Sequence, residues 1–407
     1  MKINPELHRA LQYFTREKEI MSGLLLVCEA GGRTEAAMDG DVKEGSVFDL
    51  ASLTKLFTGL CALRLKEDGL LDFSRPVFSF DPRFTELKDV TVEQLMSFTA
   101  ELKTPGRIDA CTEREEALRR LFGVFSVGEP KGRAYSDIPS MVLKYVIEAA
   151  AGMPFMEYVR RTVLEKADMR ETWAKVPAER IADCQRYDPE YRIIRGERIL
   201  RTGLKTGVPH DPKAAVIQAG TDDLCGHAGL FSTAADLTRF CRAVLAGKIV
   251  GEESLREMAV NRTGKKLPDG THTQYLGYQC YVRHPNQYFS EIPRYMGRRA
   301  FGNAGFTGNH LSVDPEHGSF VFFLGNRVKG RLTMLTPEDG KTFRDYGLNE
   351  DGSGSVIWED GVRVPSSVKY VHQKDEHLHR VVAAVLGLKE TGWEEQPARG
   401  TETALEE

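Results

Sequence analysis

The sequence predicts an α+β fold: an antiparallel sheet flanked by helices, with a mostly helical domain inserted into it. Three observations lead to this prediction. Short apolar runs bounded by turn residues, the pattern of buried strands, lie near both ends of the chain. Helical spacing of apolar residues dominates the stretch between them. The 407 residues are 41% apolar, which is enough to bury a substantial core.

Helix and strand patterns alternate along the first 70 residues. Residues 6–20 have the spacing of an amphipathic helix. The apolar run 24–28 predicts a buried strand, and the glycine pair that follows it predicts a hairpin returning through residues 34–38. From Ser52 to Lys66 the pattern is helical and apolar on nearly every side, which is typical of a buried helix.

The middle of the chain reads as helical and its end as strand-rich. Helices are predicted at 92–98, 115–122, 138–151, 155–167 and 234–246. The segment 184–226 is rich in glycine, proline and charge, so we expect a loop there. Strands are predicted at 275–282, 311–313 and 319–324, the last two forming a hairpin, and a terminal helix at 376–388.

The predicted domain arrangement follows from these patterns. A discontinuous sheet domain takes residues 1–70 and 275–391, with an irregular insertion at 330–370. A mostly helical domain takes residues 71–274. The polar residues 392–407 are expected to form a disordered tail.

Charge and cysteine content limit the function classes. The chain has 55 basic and 59 acidic side chains, a net charge of −4, which gives no basic surface for nucleic acid or an anionic membrane. It shows no apolar run long enough to span a membrane and no signal peptide at its start. Seven cysteines are scattered without a C-x-x-C pair, which disfavours disulfides and structural zinc. We therefore expect a cytoplasmic protein.

The first candidate for chemistry is Ser52-Leu53-Thr54-Lys55, at the start of the buried helix. Residues three apart share a helix face, so Lys55 can reach the Ser52 hydroxyl. A lysine in a mostly apolar site is partly neutral and can activate a serine as its base. The same pattern recurs at 366–369, but there it opens no apolar helix. The alternative interpretation is that Ser52 is an ordinary helix cap.

Two further segments carry polar groups suited to a site. In Tyr135-Ser136-Asp137, the phenol is a potential proton carrier and Asp137 a partner for Lys55; the alternative is a plain helix start. In residues 302–308, three glycines indicate close backbone approach, and the N–H of Phe306 can pair with that of Ser52 as an oxyanion hole. The alternative is a glycine-rich turn and bulge.

Together these three segments, in this order, resemble the serine hydrolases related to class C β-lactamases. That group includes penicillin-binding proteins, family VIII esterases and D-aminopeptidases. The resemblance extends over longer stretches, namely 48–55, 207–211, 226–237 and 301–315. It implies a β-lactamase/transpeptidase-like sheet, with the active-site cleft between the sheet and the inserted helical domain.

The resemblance also implies roles for single residues. Ser52 corresponds to the nucleophile, Lys55 and Tyr135 to the pair that transfers protons, and Asp137 to a position that the family fills with Asn or Asp. Phe306 follows the third motif and supplies the oxyanion N–H.

Two segments depart from the family pattern. The third motif is usually Lys-Thr-Gly or His-Thr-Gly, and here it is Asn303-Ala304-Gly305, which keeps only the glycine. The cation and hydroxyl that typically help to bind a substrate carboxylate are absent, which argues against a substrate with a free carboxylate. Residues 98–102 replace the usual His-Thr-Ser-Gly-Leu, so we expect a remodelled loop beside the cleft. A literal Lys-Thr-Gly at 205–207 is rejected because two prolines follow within five residues.

The expected function is that of a serine hydrolase that needs no cofactor or metal and acts on an ester or a neutral amide through an acyl-enzyme on Ser52. The alternative, favoured by Asn303-Ala304, is a catalytically silent protein that uses the same cleft to hold a ligand or a partner. Intact Ser52, Lys55 and Tyr135 favour the enzyme.

Overall fold

The computed structural model describes residues 2–285 and 291–390. Within these ranges the α-helices are α1 Pro5–Gln12, α2 Thr54–Glu67, α3 Val92–Ser97, α4 Arg114–Phe122, α5 Ile138–Ala151, α6 Phe155–Val159, α7 Pro212–Gln218, α8 Ala234–Leu245, α9 Glu252–Met258, α10 Tyr370–Lys374 and α11 Arg380–Leu386. The strands are β1 Gly23–Ala30, β2 Arg33–Gly40, β3 Phe48–Asp49, β4 Leu102–Lys103, β5 Phe125–Ser126, β6 Glu190–Ile194, β7 Glu197–Arg201, β8 Phe231–Ser232, β9 Tyr281–Val282, β10 Phe301–Gly305, β11 Asn309–Asp314, β12 Ser319–Gly325, β13 Arg331–Thr336, β14 Ser355–Ile357 and β15 Arg363–Pro365.

The main sheet is antiparallel and has the strand order β2-β1-β12-β11-β10-β9. β1 lies beside β12, with Val27 opposite Phe322, so strands from the two ends of the chain pair with each other. The predicted hairpins at 24–38 and 311–324 are confirmed as β1–β2 and β11–β12. The prediction of one sheet built by both halves of the chain is therefore confirmed.

The two faces of this sheet bury different sets of side chains. Along β1, Leu24 and Leu26 pack with α1 and α11, whereas Leu25 and Val27 face the larger core that contains α2. This alternation is the period of two expected of a strand that is buried on both faces. Helix α2 is buried on nearly every side, as predicted, and it packs against β10, the strand next to the sheet edge.

Two of the expected irregular segments contain regular structure. The prediction of a loop at 184–226 is wrong for the residues that form β6, β7 and α7. The prediction of an irregular insertion at 330–370 is wrong for the residues that form β13, β14 and β15. β13 pairs in parallel with β6, and β7 completes a second, three-stranded sheet. These strands have no clear sequence pattern because they are short and carry charged side chains.

Smaller differences concern element ends. The strand predicted at 275–282 is regular only at Tyr281–Val282. The terminal helix is confirmed, with a π-helical turn at Asp375–His379 between α10 and α11.

The predicted tail, 392–407, lies outside the described residues. The division into a sheet domain and a helical domain stays a prediction. In the described ranges, every helix is too short or too polar to cross a bilayer.

Candidate active site

Ser52 lies in a tight turn that leads into α2. Residues 51–53 form a 3-10 turn, and Ala51 adopts a left-handed backbone conformation with φ of +47°. Such a conformation is strained for a residue with a side chain, and strain of this kind is concentrated at functional sites. The Ser52 side chain makes no helix-capping hydrogen bond. The alternative interpretation, an ordinary helix cap, therefore has no support in the geometry.

The Lys55 side chain contacts Ser52 from the buried side of the site. Its Nζ lies 2.9 Å from Ser52 Oγ, 2.8 Å from Asp137 Oδ1 and 3.2 Å from the His227 carbonyl oxygen. The side chain is 0% exposed. Burial lowers the pKa of Lys55, and the attraction of Asp137 offsets this only in part. The predicted contacts of Lys55 with Ser52 and Asp137 are both present.

Tyr135 is held between two aromatic rings. Phe98 stacks on one side at a ring distance of 5.3 Å and Tyr281 on the other at 4.9 Å. The Tyr135 hydroxyl reaches Asn303 Oδ1 at 3.1 Å and also contacts Ser52. Burial and the nearby Asp137 carboxylate raise the pKa of Tyr135, so its phenol is neutral at neutral pH.

Asn303 has its amide orientation fixed by its neighbours. Its Oδ1 accepts a hydrogen bond from the Ala304 N–H at 2.9 Å, and its Nδ2 donates to the Gln279 carbonyl oxygen at 3.3 Å. An oxygen therefore faces Tyr135, and the phenol must be the donor between them. The side chain is completely buried, so this acceptor is shielded from water.

Gly305 allows β10 to approach the serine turn. A Cβ atom at this position would lie 2.6 Å from the Leu50 carbonyl oxygen and 3.3 Å from Ala51 Cβ. The next turn is tied down as well, because the Thr307 hydroxyl donates to the Asp49 carbonyl oxygen at 2.9 Å. The predicted close approach of the glycine-rich segment is thus present and is directed at the backbone just before Ser52.

A ring of alternating charges extends from Lys55. Asp137 binds Lys55 through one oxygen and Lys213 through the other, at 3.2 Å. Lys213 also lies 3.0 Å from Asp211, whose second oxygen is 2.9 Å from His227 Nε2. Burial raises the pKa of Asp137, but Lys55, His227 and Lys213 together lower it well below its usual value.

The same ring contains the set of residues best able to hold a metal among those described. Ligand atoms of Asp137, Asp211 and His227 lie within 4.8 Å of one another. The Lys213 ammonium already contacts both carboxylates, and His227 already binds Asp211. These groups already pair with Lys213 or with each other, so the arrangement fits an ion-pair network better than a metal site.

The site opens into a cavity of about 590 Å³. Of the predicted site residues, five line it: Ser52, Tyr135, Asp137, Gly305 and Phe306. Lys55 and Asn303 lie behind this wall and contact the lining residues Ser52 and Tyr135. Met334 and Tyr370 also line the cavity, so the segment 330–370 forms part of the cleft wall.

Sequence reasoning missed several residues of the site. Lys213, Tyr281 and Arg327 all line the cavity, and Phe98 stacks on Tyr135. The position of Phe98 in a segment that departs from the family pattern was the one available signal for that residue. The neighbouring resemblance at 207–211 was the signal for Lys213. Nothing in the sequence marked Tyr281 or Arg327.

Comparisons with known proteins agree on one family. A sequence model described as Beta-lactamase matches residues 11–338. A protein of Salmonella gallinarum provisionally named D-alanyl-D-alanine carboxypeptidase is 24% identical over 310 residues, covering 69% of each chain. The structure of EstCE1, described as a hydrolase with promiscuous acyltransferase activity, superposes with a TM-score of 0.61 at 19% identity and covers 79% of this chain and 93% of its own. A class C β-lactamase has a TM-score of 0.57 at 14% identity, covering 79% and 92%. The predicted fold is confirmed.

Proposed function

The chain belongs to the Beta-lactamase family, and we propose that it is a serine hydrolase that forms an acyl-enzyme on Ser52 and acts on an ester or a neutral amide. The observation that carries the proposal is the contact of 2.9 Å between Ser52 Oγ and the buried Lys55 Nζ at the wall of a cavity of about 590 Å³. The names of the similar proteins, a carboxypeptidase and a hydrolase, support the same reaction class.

We propose that the reactive form of Lys55, the base, is the neutral amine. Nζ has three polar neighbours, and two of them, the Asp137 carboxylate and the His227 carbonyl oxygen, can only accept. A neutral amine supplies the two N–H groups that these acceptors need and keeps one lone pair. In this form the lone pair can accept the proton of Ser52 Oγ, which lies 2.9 Å from Nζ. Burial lowers the pKa of Lys55 and so favours this form.

Acylation follows from this arrangement. Ser52 Oγ attacks the substrate carbonyl carbon while its proton passes to Lys55 Nζ. We assign the backbone N–H groups of Ser52 and Phe306 to the developing oxyanion, because β10 is packed directly against the serine turn at Gly305. The proton then leaves the Lys55 ammonium for the leaving group, with Tyr135 as the carrier: its phenol accepts one proton and releases its own. Water then attacks the acyl-enzyme and gives its proton to Lys55, and Lys55 returns that proton to Ser52 Oγ as the bond between Oγ and the acyl carbon breaks.

The cysteines support a location in a reducing compartment. All seven are buried and unpaired in the described residues. Free thiols are typical of the cytoplasm, and we propose that compartment. Fractionation of the native host cells tests the assignment, and recovery of the protein outside the cytoplasm would contradict it.

Hydrolysis of p-nitrophenyl acetate tests the proposed function. We expect wild-type protein to release p-nitrophenol in a reaction that Ser52→Ala and Lys55→Met both abolish. The thermal midpoint Tm of each variant shows whether it is folded. Wild-type protein without activity, or full activity in a folded Ser52→Ala protein, would favour the alternative, a catalytically silent protein that holds a ligand in this cleft.

A further inference from the structure

His210 is a polar residue of the cavity that the acylation steps do not use. It belongs to the segment 207–211, one of the stretches over which the family resemblance extends, and it directly precedes Asp211 of the charge ring. The residue is 5% exposed, and it lines the same cavity as Ser52. An imidazole at the wall of this cavity can exchange hydrogen bonds with a molecule that enters it.

The backbone of His210 is joined to the nucleophile turn through one buried carboxylate. Asp49 Oδ2 accepts a hydrogen bond from the backbone N–H of His210 at 2.7 Å. Asp49 Oδ1 accepts one from the backbone N–H of Ala51 at 2.9 Å. His210 and the residue that precedes Ser52 therefore bind the same side chain, which keeps His210 beside the serine turn.

The orientation of the His210 ring is fixed by its contacts. The ring lies nearly parallel to that of Phe306, at an angle of 9° and a distance of 5.4 Å between the ring centres. The Tyr187 ring packs edge-on against it at 5.6 Å. His210 Nε2 lies 2.9 Å from Glu190 Oε2. The imidazole is thus held against the residue whose N–H we assign to the oxyanion hole.

Glu190 determines which ring nitrogen of His210 carries the proton. This buried carboxylate also binds Arg192 and Arg201, so its charge is balanced without a charged histidine. Because a carboxylate only accepts, a neutral His210 places its proton on Nε2 and keeps a lone pair on Nδ1. Arg201 Nη1 lies 3.2 Å from Nε2 as well, but it donates to the same Glu190 oxygen.

The Nδ1 atom of His210 is an acceptor open to the cavity. Within residues 2–285 and 291–390 it has no hydrogen-bond partner, and the protein does not enclose it. Nearly all polar groups in such well-packed surroundings have a partner, either in the protein or in bound water. An acceptor held rigidly at a cavity wall is therefore paired by a donor from the cavity, and a water molecule is such a donor.

We propose that His210 Nδ1 binds the water that hydrolyses the acyl-enzyme, so that His210 is a further catalytic residue. The water oxygen forms the bond to the acyl carbon while one of its protons passes to Lys55. The second O–H donates a hydrogen bond to Nδ1 and stays on the product acid, so the histidine takes up no proton. Its contribution is to orient the water for attack. This inference rests on the proposed function and concerns its second half, deacylation.

Two amide substitutions separate the roles of the two ring nitrogens. In His210→Asn the amide oxygen takes about the position of Nδ1, but the bond to Glu190 is lost. In His210→Gln the amide reaches Glu190 from about the position of Nε2, and no acceptor remains at the position of Nδ1. A water held by Nδ1 predicts slow deacylation in His210→Gln and not in His210→Asn. A merely structural role through Glu190 predicts the opposite order.

Deacylation is measured directly with p-nitrophenyl acetate. Mass spectrometry of protein quenched with acid during turnover gives the concentration of acetylated Ser52, and the turnover rate divided by that concentration is the deacylation rate constant. We expect this constant to fall about tenfold or more in His210→Gln and to stay within about threefold of wild type in His210→Asn. The acylation rate, taken from the initial release of p-nitrophenol, is expected to stay within about threefold in both.

A third variant covers the case in which His210→Gln does not fold. His210→Phe keeps a ring against Phe306 and, like His210→Asn, lacks the bond to Glu190, so these two variants differ in the acceptor. We then expect deacylation about tenfold or more slower in His210→Phe than in His210→Asn.

The outcomes separate this proposal from the proposed function. Wild-type deacylation in a folded His210→Gln protein, or deacylation that is no faster in His210→Asn than in the variants without the acceptor, overturns the water site and leaves the hydrolase standing. No turnover by wild-type protein, with no acetyl group on Ser52 and no labelling by a fluorophosphonate, overturns the hydrolase and with it this site.

Discussion

The Tyr135 hydroxyl donates a hydrogen bond to Asn303 Oδ1 over 3.1 Å. The direction is fixed, because the other side of the Asn303 amide donates to the Gln279 carbonyl oxygen. With its proton directed to Asn303, Tyr135 presents a lone pair toward Ser52. Its raised pKa keeps it a neutral phenol at neutral pH. We therefore propose the buried amine of Lys55, rather than a phenolate, as the base for Ser52.

Replacing the acceptor of this hydrogen bond tests its role. Asn303→Leu is expected to lower kcat about tenfold with KM within about threefold, because the Tyr135 proton loses its fixed direction. Tyr135→Phe removes the proton carrier itself and is expected to lower kcat by at least about a hundredfold. Steady-state kinetics on p-nitrophenyl acetate provides both values. Wild-type kcat in a folded Asn303→Leu protein would show that the bond to Asn303 does not direct the proton.

Lys213 is predicted to set the pH dependence of the reaction. Burial is the main cause of the lowered pKa of Lys55, and the Lys213 ammonium, which shares Asp137 with Lys55, adds to the lowering. Removing it in Lys213→Met leaves Lys55 as the sole lysine on Asp137 and raises the pKa of Lys55. Because the base must be neutral, the acid limb of kcat/KM is expected to move to higher pH by about one unit.

The Lys213 experiment has a matched control. Lys205→Met removes an exposed lysine that does not line the cavity, and it is expected to leave the pH profile unchanged. An acid limb that stays in place in folded Lys213→Met would contradict the proposed tuning of Lys55.

Gly305 is predicted to be required for the spacing of the site. In Gly305→Ala the new Cβ meets the Leu50 carbonyl oxygen at 2.6 Å, so β10 or the serine turn must shift. We expect a loss of about 1–3 kcal/mol in the free energy of unfolding, measured with urea, and a lower kcat. Gly45→Ala is the control, because its Cβ would meet no atom within 4 Å. Equal stability and activity of the two variants would contradict the proposed spacing.

Glu190 is predicted to stabilise the fold in a pH-dependent way. Burial raises the pKa of this carboxyl, but hydrogen bonds from His210 and Arg192 lower it below its usual value. Its stabilising contribution is therefore present above about pH 4.5 and is lost as the pH falls and the group takes up a proton. Glu190→Gln is expected to lower the free energy of unfolding by about 3 kcal/mol at pH 7 and by less in acid. A difference from wild type that does not shrink as the pH falls would contradict this.

The main sheet and the contact between Ser52 and Lys55 were predictable because they depend on local patterns. The alternation in β1 and the three-residue spacing of Ser52 and Lys55 are visible within short segments. The parallel pairing of β13 with β6 joins segments some 140 residues apart, and no local periodicity of the sequence predicts it. Charged residues in β6, such as Glu190 and Arg192, also mask its strand pattern.

The rest of the site depends on which distant side chains meet. Lys213 and Tyr281 come from segments with no catalytic motif of their own, and they matter because the fold places them against Asp137 and Tyr135. The direction of the Tyr135 proton depends on the Gln279 carbonyl, a backbone atom that no residue type reveals.

The most direct test of the central claim is labelling with a fluorophosphonate followed by peptide mass spectrometry. We expect one covalent adduct on Ser52, which is absent from Ser52→Ala and forms much more slowly in Lys55→Met, because that variant lacks the base. Labelling at another residue, or an unlabelled but folded wild-type protein, would contradict the claim that Lys55 activates Ser52.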